Sequence, residues 1–228
     1  MNVNLVSITT PNQSYFRRKL EEIGEDPDKA EELTAEQLMI YIARVSSSRD
    51  NKLEDYEGLL NFLIEHGHWS PFQMADMTVE IETSRAIGRQ LIRHRSFKFQ
   101  EFSQRYSSDI DFEPVELREQ PDHNRQSSSA TLHGEYVNNL TSRVLTEVKH
   151  AYKRLISAGV ASETARMILP ETTQTTLYMK GSVRSWIHYL DLRLKENTQK
   201  EHRQVAQAIL PYFQSEFPVI TNALDLDE

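Results

Sequence analysis

The chain has 228 residues and a mass of 26.5 kDa, with 26 Lys+Arg against 34 Asp+Glu, a net charge of −8 and no cysteine. Without a thiol it can supply no disulfide, no thiolate metal site, no iron–sulfur ligand and no cysteine nucleophile. The acidic balance argues against coating nucleic acid or anionic membrane by bulk charge, and no apolar run approaches the ~20 residues that span a bilayer.

The N-terminus lacks a basic region followed by a long apolar stretch, so no signal peptide is expected and the protein reads as soluble and cytoplasmic. In chain order, Val3 to Ile8 alternates apolar and polar residues as a strand does. Residues 34–45 read as a helix opened by Thr34, with Gln37 at capping-box spacing. Leu59, Leu60, Leu63 and Ile64 mark a helix over 56–66, ended by Gly67. Met77, Val79 and Ile81 alternate as a strand, and 84–94 returns to helix. Residues 107–129 are polar and aperiodic, with Pro114, Pro121 and a serine run, and read as a long, mobile loop or lid. Leu132, Tyr136, Leu140, Val144, Val148, Tyr152 and Leu155 then mark a long helix. Shorter helices are expected at 162–169, stopped by Pro170, at 182–196 and at 199–214. With no repeat and no clear boundary, the expectation is one α+β domain over residues 1–228.

The chemistry concentrates between Arg85 and Tyr106. That window holds Arg85, Arg89, Arg93, Arg95, Lys98 and Arg105 against a single acid, Glu101. On a helix Arg85, Arg89 and Arg93 stack at i, i+4 and i+8, where like charges repel, so an anionic partner is expected. A solvated basic face or ion pairs with acidic neighbours is the bland alternative. If 97–105 is extended, Glu101, Ser103 and Arg105 share one face at roughly 7 Å intervals. An acceptor, a hydroxyl and a guanidinium fork on one wall suit a phosphorylated small molecule; a polar surface strand is the plainer reading.

Two further stretches carry polar residues in unusual places. In His66-Gly67-His68-Trp69-Ser70-Pro71, Gly67 reads as a helix C-cap with His68 turned toward a neighbouring site, and no carboxylate stands at a metal-binding spacing, so no metal is expected. In residues 182–195, Val183, Trp186, Ile187, Leu190 and Leu194 form a buried stripe. Arg193 projects only about 75° from its centre. Arg166 lies similarly beside Met167 and Ile168. An arginine at such an edge either snorkels or meets a buried anion.

Arg93-His94-Arg95, seven residues, then Ser103 resembles the RHR-x7-S signature of flavin-dependent thymidylate synthases. The resemblance extends, in order, to Ala43–Ser46, Glu65–Phe72, the run entering Arg93, Ala165–Pro170 and the helix holding Arg193, over roughly residues 40 to 210. It implies methylation of dUMP to dTMP with methylenetetrahydrofolate as carbon donor and FAD, reduced by NADPH, as hydride source. It also implies a central, mainly antiparallel sheet flanked by helices, in a homotetramer whose active sites are shared between subunits.

Carried over by matching position, the FAD residues are Arg93, His94, Arg95, Glu101, Ser182, Val183, Arg184 and His188, with His68 and Ser70 reaching in from another subunit. The dUMP residues are Gln90, Arg93, Glu101, Phe102, Ser103, Gln104, Arg105, Arg166 and Arg193, and Arg193 is the catalytic charge beside the uracil ring. Three positions depart from the family pattern: Ser182 where Asn is frequent, Gln104 where Gly is frequent and Gln73 where Glu is common. The other, unrelated class of thymidylate synthase activates uracil with an enzyme cysteine, a route this chain lacks. A nucleic-acid-binding module and a family-derived binding protein without turnover are the competing readings. The first would need a broad basic surface; the second is disfavoured by the intact Glu101, Ser103, Arg105 and Arg193 set.

Overall fold

Two nine-residue segments, β2 (Asp76–Ser84) and β4 (Gln174–Ser182), pair antiparallel over their whole length, from Asp76 opposite Ser182 to Ser84 opposite Gln174. β1 (Asn2–Ile8) flanks β2 and β3 (Lys98–Glu101) flanks β4, giving a four-stranded antiparallel sheet in the order β1-β2-β4-β3. The computed structural model describes residues 1–46, 56–122 and 127–226. Alternation sends Met77, Val79, Ile81, Leu177 and Met179 to the buried face. Glu80 and Tyr178 face the other way, joined by a hydrogen bond from the Tyr178 hydroxyl to the Glu80 carboxylate.

Both central strands run straight into helices. Ser84 caps α4 (Arg85–Leu91) and Ser182 caps α7 (Val183–Arg193), each serine accepting from a backbone N–H of the first turn. Because the strands are antiparallel, the two helices start at opposite ends of the sheet and run back over its buried face. Gly88 of α4 lies against Thr175 and Leu177, and the Trp186 indole of α7 donates to the Met77 carbonyl at 3.0 Å. Gly181 is needed where Phe97 crosses β4: a Cβ there would stand 2.4 Å from the Phe97 ring.

Around this lie α2 (Ala35–Ala43), α3 (Tyr56–Glu65), α8 (Lys200–Glu216) and α9 (Pro218–Ala223), which add Met39, Ile40, Leu60, Ile209, Phe213 and Ile220 to the same core. The Thr34–Gln37 capping box forms as expected. At Gly67 (φ +66°), His68 N–H donates to Leu63 and Gly67 N–H to Ile64, a Schellman ending. α1 (Gln13–Glu22), α9 and strand β4 have no counterpart in the sequence reading.

The helix expected at 84–94 stops at Leu91, and that at 162–169 is one α turn, α6 (Ser162–Ala165), continued as a 3₁₀ turn to Ile168. The long helix α5 (Glu135–Ser157) forms. Of its apolar stripe only Tyr152 is buried, while Tyr136 is 79% and Val144 50% exposed. The described part of the 107–129 loop makes contacts with the rest of the fold. Phe112 bridges Thr173, Arg118 bridges Thr131, and Arg118 also pairs with Glu201 at 2.6 Å. Residues 123–126 of that loop lie outside the described residues.

Glu36 is buried in α2 and accepts from the Ile220 N–H at 2.9 Å. Burial pushes its carboxyl up to about 7, against the lowering effect of the Ile220 and Val219 N–H groups. An acid whose folded pKa is raised destabilises the fold once ionised. The penalty is fully present above about 7 and disappears as pH falls toward the ordinary value of 4.5. Glu36→Gln keeps an acceptor and removes the charge, so the gain in melting temperature on going from about pH 8 to about pH 5 should shrink by about 5–10 °C. Thermal unfolding of both proteins at both pH values checks this; an unchanged gap would place the pH dependence elsewhere.

Candidate functional site

The centre of the site is made where the ends of α4 and α7 converge. Beyond Leu91 the chain turns, with His94 N–H donating to the Leu91 carbonyl and Phe97 N–H to the His94 carbonyl, which leaves the His94 ring half-buried. Arg193, in the last turn of α7, is also half-buried, and its Nε–H donates to His94 Nε2 at 3.0 Å. A ring nitrogen that accepts from a guanidinium carries no proton, so His94 is neutral with its hydrogen on Nδ1. Burial, and then the Arg193 charge, push its pKa down to about 4. Arg193 has spent only Nε on this contact, so both Nη groups of its fork stay available to a ligand.

A buried polar wall backs this pair. The Tyr189 ring lies 5.0 Å from His94 and 5.8 Å from His202, and His202 lies 5.9 Å from His94. Tyr189 and His202 are almost wholly buried, and the Tyr189 hydroxyl and His202 Nε2 have no hydrogen-bond partner among the described residues. Burial raises the Tyr189 phenol and, with Arg193 and His94, lowers His202 to about 3, so both are neutral. Gln90 joins the wall, its Oε1 3.1 Å from His202 Nδ1.

The basic row read on the sequence is dismantled. Arg85 donates to Gln104 at 2.9 Å, Arg89 pairs with Glu171, and Arg93 lies past the helix end. Because α4 is only two turns long, no three-arginine stripe exists, and the bland ion-pair reading holds for Arg89. The extended wall of Glu101, Ser103 and Arg105 is also corrected. β3 pairing ends at Phe102, whose N–H donates to Thr176, and the chain then turns, with Tyr106 N–H donating to the Ser103 carbonyl. Period-two alternation therefore stops at Phe102, and the three side chains share no strand face.

Within that turn, Glu101 accepts from the Thr175 hydroxyl at 2.9 Å and Gln104 is buried on Arg85. Arg105 lies 5.6 Å over the Tyr106 ring, and Phe102 is exposed. Arg166 donates Nε to the Glu163 carbonyl, and no hydrogen bond among the described residues links it to Arg193. Arg93, Arg95 and Arg105 take part in no ion pair among the described residues, which leaves their charge for an anion.

His68 and Ser70 stand exposed after α3, and His188 is exposed on α7 with its ring 5.4 Å from Trp69. Arg184 is half-buried. Ser182 spends its hydroxyl on capping α7, and Val183 is buried with its N–H on the Ala75 carbonyl. Residues missed on the sequence are Tyr189, His202 and Gln199. The available signal was the one that flagged Arg193, since His202 occupies the first position of the apolar stripe His202, Val205, Ala206, Ile209.

An antiparallel sheet thus sets a neutral imidazole against a half-buried arginine whose charge is not cancelled, a site suited to an anionic ligand. The sequence model of the family described as thymidylate synthase complementing protein matches residues 30–219. A flavin-dependent thymidylate synthase of Synechocystis sp. is 44% identical over 228 residues, covering 99% of this chain and all of the relative. Those of Thermus thermophilus and Kosmotoga olearia are 32% and 36% identical, over 92% and 72% of this chain and 75% and 74% of their own. The chain belongs to this family, that of the flavin-dependent thymidylate synthases.

Removing the arginine charge should release part of the pressure on His94. In Arg193→Met the His94 pKa should rise from about 4 by roughly one unit. Burial, the larger cause, remains in that variant. Histidine NMR titration reads the shift, and no change would mean that burial alone holds the ring neutral.

Proposed function

We propose that the chain converts dUMP to dTMP, with methylenetetrahydrofolate as carbon donor and NADPH as reductant through bound FAD. The observation that carries this reading is the Arg193–His94 contact. It holds a half-buried cation in one place while leaving the guanidinium fork free, beside an imidazole that adds no charge of its own. A fixed positive charge in a low-dielectric wall stabilises negative charge that develops on a pyrimidine ring. The chain contains no cysteine, so ring activation by a thiolate of this chain is excluded and the electrostatic route is the one its residues support.

The residues fit the flavin dinucleotide. Its diphosphate calls for cations without acidic partners, as Arg93 and Arg95 are, and its ring system calls for aromatic and imidazole surface such as His68, Trp69 and His188. We assign FAD to Arg93, His94, Arg95, Glu101, Arg184 and His188, with Ser182 and Val183 shaping the wall from within the protomer, and His68 and Ser70 of another subunit. The flavin supplies the hydride. The His94 Nδ1–H is the donor this wall offers it. For dUMP we assign Gln90, Arg93, Glu101, Phe102, Ser103, Gln104, Arg105, Arg166 and Arg193, with the arginines on the phosphate and uracil.

Shared sites require an assembly, and α5 supports one. A helix of 23 residues with Tyr136, Leu140 and Val144 exposed along one stripe has an apolar face that its own protomer leaves uncovered. We assign that face to the contact between copies of a homotetramer. No helix among the described residues is long and apolar enough to cross a membrane.

The purified protein should be yellow and should oxidise NADPH faster with dUMP present. Arg193→Ala should lower dTMP formation by about 100- to 1000-fold while bound flavin stays, the scale expected for a lost charge-stabilising group. Parallel loss of flavin, read from the visible spectrum, would reassign Arg193 to cofactor binding. Val144→Glu should shift the assembly to smaller species in light scattering; an intact tetramer would remove the α5 stripe from the interface.

A further inference from the structure

A row of hydrogen bonds runs from the surface loop into the buried wall, and its polarity is determined at one end. Glu201, in the first turn of α8, accepts from Arg118 Nη2 at 2.6 Å on Oε1 and from Gln199 Nε2 at 2.9 Å on Oε2. Against the burial that would raise it, hydrogen bonds from Gln199 and Arg118 hold this carboxyl below its usual range, so it is an ionised acceptor. Gln199 must then present its NH₂ to Glu201 and its oxygen to Gln90, whose Nε2 donates to it at 2.6 Å. That choice turns the Gln90 oxygen toward His202 Nδ1, 3.1 Å away. Two acceptors cannot bond, so His202 carries its hydrogen on Nδ1.

The consequence falls on Gln90. An amide has two N–H donors and an oxygen with two lone pairs. Gln199 takes one N–H and His202 one lone pair, so the amide is held at both ends and cannot flip. One N–H and one lone pair remain for a ligand. His202 is wholly buried beside the Tyr189 ring, and an apolar side chain would fill its place with less polar burial. A buried histidine that spends its only N–H on a neighbouring amide is accounted for if that amide must face one way.

We propose that His202 is a positioning residue for the nucleotide, acting through Gln90: it fixes which groups of the Gln90 amide are left for the ligand. The inference rests on the assignment of Gln90 to dUMP. It makes the discrimination at this point one between ligand acceptors and donors. A carbonyl or phosphate oxygen meets the free N–H, whereas a misturned amide would present oxygen to oxygen.

The test is equilibrium binding and steady-state kinetics of dUMP on the flavin-loaded protein, with His202→Leu, His202→Asn, Gln90→Ala and the double variant His202→Leu/Gln90→Ala. His202→Leu should raise the dUMP Kd and KM about tenfold, with kcat falling less than about threefold and flavin content at the wild-type level. His202→Asn, whose amide N–H can replace Nδ1–H, should recover affinity to within about threefold of wild type. In the Gln90→Ala background, His202→Leu should add no further loss. If His202→Leu does not fold, His202→Asp against His202→Asn carries the same comparison, because aspartate offers only acceptors.

Equal losses in the donor and non-donor variants would make His202 a packing residue and overturn the proposal. Normal dUMP binding in His202→Leu with weakened binding in Gln90→Ala would do the same while leaving the Gln90 assignment intact. Normal binding in Gln90→Ala would remove that assignment itself, and the relay with it.

Discussion

Everything else in this molecule hangs on the pairing of β2 with β4. Nine residues face nine in antiparallel register, and each strand ends on a serine that caps the helix following it. Antiparallel geometry places those two caps at opposite ends of the sheet, so α4 and α7 approach each other across one buried face. Their far ends, about His94 and Arg193, meet there. A shift of one residue in this register would send Met77, Val79 and Ile81 to solvent and pull the two helix ends apart.

The contact that results has its own logic. An arginine in a partly buried wall is costly unless paired, and the usual solution is a carboxylate. Here the partner is a neutral imidazole, which accepts one hydrogen bond and leaves the positive charge uncancelled. The arginine and the burial together keep the imidazole neutral, and the imidazole in turn orients the arginine. Arg89 and Arg118, by contrast, pair with carboxylates in the ordinary way, with Glu171 and Glu201. Arg193 thus keeps its charge uncancelled inside a half-buried wall, in a chain whose net charge is −8.

Legibility on the sequence followed the length scale of each interaction. Thr34 with Gln37 and Gly67 after the Leu63–Ile64 stripe are decided within one helical turn, and the capping box and Schellman ending both form as read. Strand β4 was missed because Thr175, Leu177, Met179 and Gly181 form its buried face, and threonine and glycine there blur the alternation. Gly181 is explained only by the Phe97 ring that crosses it, from residues far away in the chain. The α5 stripe was plain in sequence, yet it stays exposed in the protomer, because hydrophobic periodicity states that a face seeks cover without saying which surface provides it.

The candidate site divides in the same way. The sequence alone singled out Arg193 at the edge of an apolar stripe, the concentration of basic residues from Arg85 to Arg105, and the absence of any thiol, because residue type and helical phase are local properties. It could not decide which of those arginines keep their charge free, since Gln104, Glu171 and His94 reach them through tertiary contacts. Nor could it show that the run after Phe97 turns at Ser103, or that His202, Gln90, Gln199 and Glu201 form one directed row. The direction of a hydrogen bond depends on what its partner's other end is bonded to, and only the folded chain brings those partners together.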